Sequence, residues 1–150
     1  MRRSDEKNET HEIIRRLKIA FSRIDALYLD LGTRLGVKPN LFVLFYALAD
    51  GRVCSQRQIC DEWSLPRTTL NSIVRECVKD GYVRLVPRGN KEKDIVLTSA
   101  GQEIVNRAFR PLFAAEAKAI RPIHISDVLD EIETLAAQFE KAFAKLGANV

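Results

Sequence analysis

Cysteine is scarce in this chain: Cys54, Cys60 and Cys77 are an odd number with no CxxC spacing. That excludes a disulfide framework and a metal or dithiol site of the usual pattern, and favours small buried hydrophobes over a redox switch. Long apolar runs are missing as well. The longest, such as Leu41 to Ala49, are too short to cross a bilayer, and the amino terminus is charged rather than a basic head before an apolar core. The expectation is a soluble cytoplasmic protein with no membrane partner. Catalytic motifs are equally absent: no HExxH, GxSxG or glycine-rich phosphate loop occurs, and the two histidines stand alone, His11 at the ragged start of a helical pattern and His124 within Ile-His-Ile. Neither an enzyme, a cofactor nor a metal site is expected. No internal repeat or low-complexity tract appears.

What is present is a chain of 150 residues, 46% of them hydrophobic, which is of single-domain size and can bury a core without staples. The charge is uneven. Between Pro66 and Lys93 fall seven of the 24 basic residues (Arg67, Arg75, Lys79, Arg84, Arg88, Lys91, Lys93) and three of the 20 acidic ones, which leaves 17 of each sign elsewhere. The whole excess of +4 lies in that segment. A localised positive field concentrates polyanions and favours nucleic acid over a neutral or acidic partner.

Met1 to Thr10 is polar without periodicity and reads as a mobile tail. From His11 to about Gly32, apolar residues from Ile13 to Leu31 recur at three and four and predict a long amphipathic helix, ended by Gly32 or Gly36. Pro39 starts a second helix, apolar almost all round through Leu48, hence central. Ser55 followed by Gln58 is a capping box for a short helix with Ile59 and Trp63 on one face. After Pro66 comes the sharpest pattern: Leu70, Ile73, Val74, Cys77 and Val78 face inward until Gly81 stops the helix. Its other face then carries Arg67, Thr68, Asn71, Ser72 and Arg75, with Thr69 and Lys79 near its edges. Tyr82 to Val86 and Ile95 to Leu97 are short β-rich runs, and the charged loop Pro87 to Lys93 joins them as a hairpin. Thr98 or Ser99 caps a further helix with Pro111 as a kink, and Ser126 caps a last one through Leu146.

Two short helices with a tight link, the second exposing small hydroxyl and amide groups plus arginines, form a helix-turn-helix whose second helix fits a DNA major groove. Thr, Ser, Asn and Arg reach base edges and phosphates from a helix in a groove ~12 Å wide. The basic hairpin tip, Arg88, Lys91 and Lys93, can rest on the neighbouring backbone or minor groove, which makes a winged helix. Each element alone is more often ordinary solvated surface; the conjunction points to nucleic acid. The rival reading is a winged-helix protein–protein interaction module without sequence-specific DNA binding.

The stretch SQRQICDEWSLPRTTLNSIVRECVKDGYVRLV, then the wing, then IVLTSAG, resembles the MarR family of winged-helix transcriptional regulators. The shared features are the Ser-Gln helix start, the Ser/Thr/Arg recognition helix, the Gly-hydrophobic entry to the wing and the Leu-Thr-x-x-Gly close. The resemblance implies a mainly α fold with a small β-hairpin, a winged helix-turn-helix region over 37–98, and dimerisation helices over 11–36 and 99–147. It also implies a homodimer, usually a repressor, binding pseudo-palindromic double-stranded DNA through the 66–80 helix and the 87–94 wing. By position, Thr68, Thr69, Asn71, Ser72 and Arg75 would face the major groove, and Ser55 and Gln56 the phosphates. The wing departs from the family's Asp-x-Arg pair, reading Arg88-Gly89-Asn90-Lys91-Glu92-Lys93-Asp94; Lys91 or Lys93 supplies charge there but not the planar fork of arginine, so weaker shape selectivity is expected. A small-molecule effector in such proteins acts between the dimer helices and the winged region; Phe21, Tyr28, Phe42, Phe45 and Tyr46 would line that place, with plain core as the favoured alternative. The family's peroxide-sensing branch uses a cysteine early in the first helix, and none stands there. Cys54, just before a helix start, is the thiol whose place best suits a lowered pKa.

Overall fold

Proline at its first position and an unbroken apolar run make α2 (Pro39–Leu48) the centre of the winged region, with Leu41, Phe42, Leu44, Phe45, Ala47 and Leu48 all buried. The computed structural model describes residues 2–89 and 92–147 and divides into two compact units, one running to Arg110 and one from Pro111. The first unit begins with α1 (Arg2–Arg34) and α2, continues through the two-residue strand β1 (Cys54–Ser55), α3 (Gln56–Trp63) and α4 (Arg67–Lys79), then β2 (Val83–Arg88), β3 (Glu92–Leu97) and α5 (Ser99–Ile104). A π-helical turn, Val105–Phe109, follows directly. The second holds most of α6 (Arg110–Ile120) and all of α7 (Ser126–Gly147). Among the described residues no helix is long and apolar enough to cross a membrane.

Several expectations change. The described part of the expected tail is helix, the first turns of α1; residues 2–31 contain neither glycine nor proline, so a helix started downstream has nothing to stop it. Gly32 lies inside α1, where a Cβ would meet the Phe42 ring at 2.6 Å, and Gly36, at φ 75°, takes the left-handed position after the helix. The hairpin strands run further than expected, from Val83↔Leu97 to Arg88↔Glu92. A third strand joins them: β1 pairs antiparallel with β3, Cys54 opposite Ile95, and the sheet order is β1-β3-β2.

The core of this unit holds, with α2, the buried side chains Ile59, Leu70, Ile73, Val74, Cys77, Val83, Ile95, Val105 and Phe109. The Phe42 and Phe109 rings lie 5.1 Å apart, and Phe45 packs on Tyr82 at 5.8 Å. The Leu-Thr-x-x-Gly segment earns its residues locally. The Thr98 hydroxyl donates to the Gly81 carbonyl at 2.6 Å and accepts from the Gly101 amide at 3.1 Å, capping α5 while tying it to the entry of the wing. At Gly101 a Cβ would collide with the Tyr82 carbonyl oxygen. Near Pro111, which lacks an N–H, the widened turn at 105–109 has the Arg110 amide bonding back to the Val105 carbonyl, so the ring is met by a local π-bulge.

Candidate nucleic-acid interface

Helix α4 separates its two faces cleanly. Leu70, Ile73, Val74 and Cys77 are buried, while Arg67, Thr68, Thr69, Asn71, Ser72 and Arg75 are all exposed. Arg67, Asn71 and Arg75, spaced four apart, form one stripe along the helix. None of the three makes an ion pair or side-chain hydrogen bond among the described residues. The Ser72 hydroxyl donates to the Thr68 carbonyl at 3.1 Å. Val78, expected in the core, is 42% exposed, because the last turn of α4 runs past the packed layer before Gly81 (φ 77°) turns the chain into the wing.

The one acidic side chain in α4 is held off this face. Glu76 accepts from Lys38 Nζ at 2.7 Å and from Asn40 Nδ2 at 2.7 Å, with Asp80 3.6 Å from the same ammonium. The Lys38 hydrogen bond, then that of Asn40, holds the Glu76 carboxyl below its ordinary range, and the same bond raises Lys38. Arg75 is therefore left with its charge uncompensated by its neighbour.

Beside α4 stands the start of α3, fixed by the capping box: the Ser55 amide donates to Gln58 Oε1 at 2.8 Å and the Gln58 amide to Ser55 Oγ at 3.2 Å. Ser55 is only 4% exposed, so its hydroxyl shapes the helix start rather than presenting itself at the surface. Gln56 is half-buried and borders two clefts. One, of about 410 Å³, lies between α3, α4 and the wing and gathers Arg57, Arg67 and Lys93 with Asn71 and one acid, Glu92. The other, of about 400 Å³, runs along α4 to β2 and gathers Asn71, Arg75 and Lys79 over Val74, Val78 and Leu85. Arg57 stands outside the expected set, because a lone arginine in the first turn of a short helix carries no sequence signal beyond its charge.

In the wing, Lys93 is exposed and Lys91 lies outside the described residues. Arg88 has a partner the linear sequence concealed. Val86 stands opposite Asp94 and Arg88 opposite Glu92, so Arg88 reaches diagonally to Asp94 Oδ1 at 3.3 Å and on to Gln58 Oε1 at 3.4 Å. An acid–arginine pair is thus present after all, formed across the strands, and it ties the wing to the α3 cap.

Of the residues expected near an effector, Tyr28, Phe42 and Tyr46 line an apolar cleft of about 520 Å³ with Asp25, Leu29, Val43 and Trp63, whose ring meets Tyr46 edge-on at 5.5 Å. Phe45 is core and Phe21 lies outside the cleft. All three cysteines are buried and unpaired. Burial raises the Cys54 thiol, contrary to the lowering expected from its place before a helix, and pushes Cys77 up to about 11.

Residues 35–93 match the model of the MarR family. No curated protein matches the chain. Among solved structures, the chain is similar to NMB1585, a MarR family regulator from Neisseria meningitidis, with 18% identity, 88% of this chain and 96% of that one covered, and a TM-score of 0.78. It is also similar to a MarR family transcriptional regulator from Listeria monocytogenes complexed with 26mer DNA (16% identity, coverage 85% and 87%, TM-score 0.64). A third is NadR in complex with 4-hydroxyphenylacetate (14% identity, coverage 81% and 88%, TM-score 0.66). These likenesses identify the fold as the MarR-type winged helix.

Proposed function

We propose that this chain, whose winged segment belongs to the MarR family, is a sequence-specific double-stranded-DNA-binding regulator of transcription that acts as a homodimeric repressor. The observation that carries the reading is the Arg67, Asn71, Arg75 stripe: exposed, unpaired among the described residues, and flanked by a cleft holding Arg57 and Lys93. An α-helix with that face can enter the major groove, and the wing can meet the flanking backbone or minor groove. Support for pairing of two copies comes from apolar side chains left exposed on the terminal helices, such as Leu27 and Leu146, each 66% exposed. A two-fold dimer would set its recognition helices in successive major grooves, about 34 Å apart. The regulator occupies its operator when free and lets go when an event changes that spacing; the aromatic cleft between α1 and α2 is the place that suits a small-molecule effector.

The test is the salt dependence of duplex binding. A dimer touching six to ten phosphates should lose roughly a thousandfold or more in affinity between about 50 and 200 mM salt. A pure protein-interaction module should show no such slope, and a flat response would discard the reading.

A further inference from the structure

We propose that Asn71 and Arg75 read bases, and that each half-site therefore carries an A·T pair and a G·C pair about two base-pair steps apart, while Arg67 binds phosphate. The assignment rests on the reading of the chain as a duplex-binding protein. Both side chains are exposed on consecutive turns of one face, with no hydrogen bond or ion pair among the described residues. Four residues of helix advance about 6 Å, close to two steps of a duplex rising about 3.4 Å each.

Chemistry then selects the bases. The Asn71 amide offers one acceptor and donors in a plane, the complement of adenine N7 and N6. The Arg75 guanidinium offers a fork of donors, the complement of guanine O6 and N7. Their neighbours are less suited. Thr68 and Thr69 are too short to bridge two atoms of one base, and Ser72 has its proton engaged by the Thr68 carbonyl at 3.1 Å. Arg67 differs from Arg75 in its surroundings. It opens the helix in the cleft it shares with Arg57 and Lys93, and Glu92 is the one acid lining that cleft, so the net charge there is positive, as phosphate binding requires. Arg75 instead borders the cleft floored by Val74, Val78 and Leu85, and the adjacent Glu76 carboxylate is engaged by Lys38 and Asn40, so no acid in its own helix competes for it.

Duplexes selected from a random pool by the full chain, by Asn71→Ala and by Arg75→Lys decide the matter. The parent chain should return half-sites with an A·T and a G·C pair two steps apart. Asn71→Ala should lose about tenfold discrimination at the adenine alone. Arg75→Lys keeps the charge, so its salt slope should match the parent's while discrimination at the guanine falls about tenfold. Enriched sites that are identical for all three proteins, or whose altered positions are other bases, would overturn the assignment and leave duplex binding standing. A pool with no enriched sequence and no salt-dependent retention would overturn both.

Discussion

Helices α4 and α7 are both amphipathic, yet they leave opposite faces in water. α4 buries Leu70, Ile73, Val74 and Cys77 and shows solvent its amides, hydroxyls and guanidinium groups. α7 buries none of its described side chains, and Phe143 remains 59% exposed. An apolar face already satisfied leaves a polar one free for a polar, charged ligand; an apolar face left unsatisfied calls for another apolar surface. The same chain therefore carries two surfaces of different chemistry, one polar and cationic on α4 and one apolar on α7.

Substitutions on each helix separate the two behaviours. The largest effect belongs to the buried side: Phe45→Ala should cost roughly 3–5 kcal/mol of stability in urea unfolding, whereas Phe143→Ala should cost well under ~1 kcal/mol in a monomer. Equal losses would mean α7 is not the unsatisfied element it is taken to be. Next comes Gly101→Ala, whose Cβ would strike the Tyr82 carbonyl and should cost about 1–3 kcal/mol, read as a lowered Tm. On the polar face, Arg75→Ala should weaken specific binding by about 1–3 kcal/mol, while Lys93→Ala should lower affinity for all sequences alike and reduce the salt slope by about one. Sequence-blind losses for both would erase the distinction between the two clefts. The smallest effect is pH-dependent. Because Lys38 and Asn40 depress the Glu76 carboxyl, their stabilisation is fully present above the ordinary value of 4.5 and is lost as pH falls through the lower folded value. Glu76→Gln should thus differ from the parent in Tm at neutral pH and converge with it in strong acid.

The parts legible in the sequence are those written in a period or a cap. The inward set of α4, the Ser55–Gln58 capping box, the central α2 and the Thr98 cap follow from spacing that only one backbone conformation satisfies. What escaped is written in other terms. Two residues of β1 are too few for an alternation to show, and its partner lies about forty residues on. The Arg88–Asp94–Gln58 contact depends on strand register and on where α3 starts, neither of which local pattern fixes. Val78 obeyed the helical period and still emerged, because the period tells which side faces in but not where the packed layer stops. For Cys54, proximity to a helix start suggested a low pKa, and burial reversed it.

Base reading by α4 is decided by comparing affinity for a selected duplex with affinity for a random one, for the parent chain and for the triple variant Arg67→Ala, Asn71→Ala, Arg75→Ala. All three positions are exposed, so helix content should be unchanged. The ratio should be well above one for the parent and close to one for the variant; a variant that keeps the parent's ratio would mean that the α4 face does not read bases.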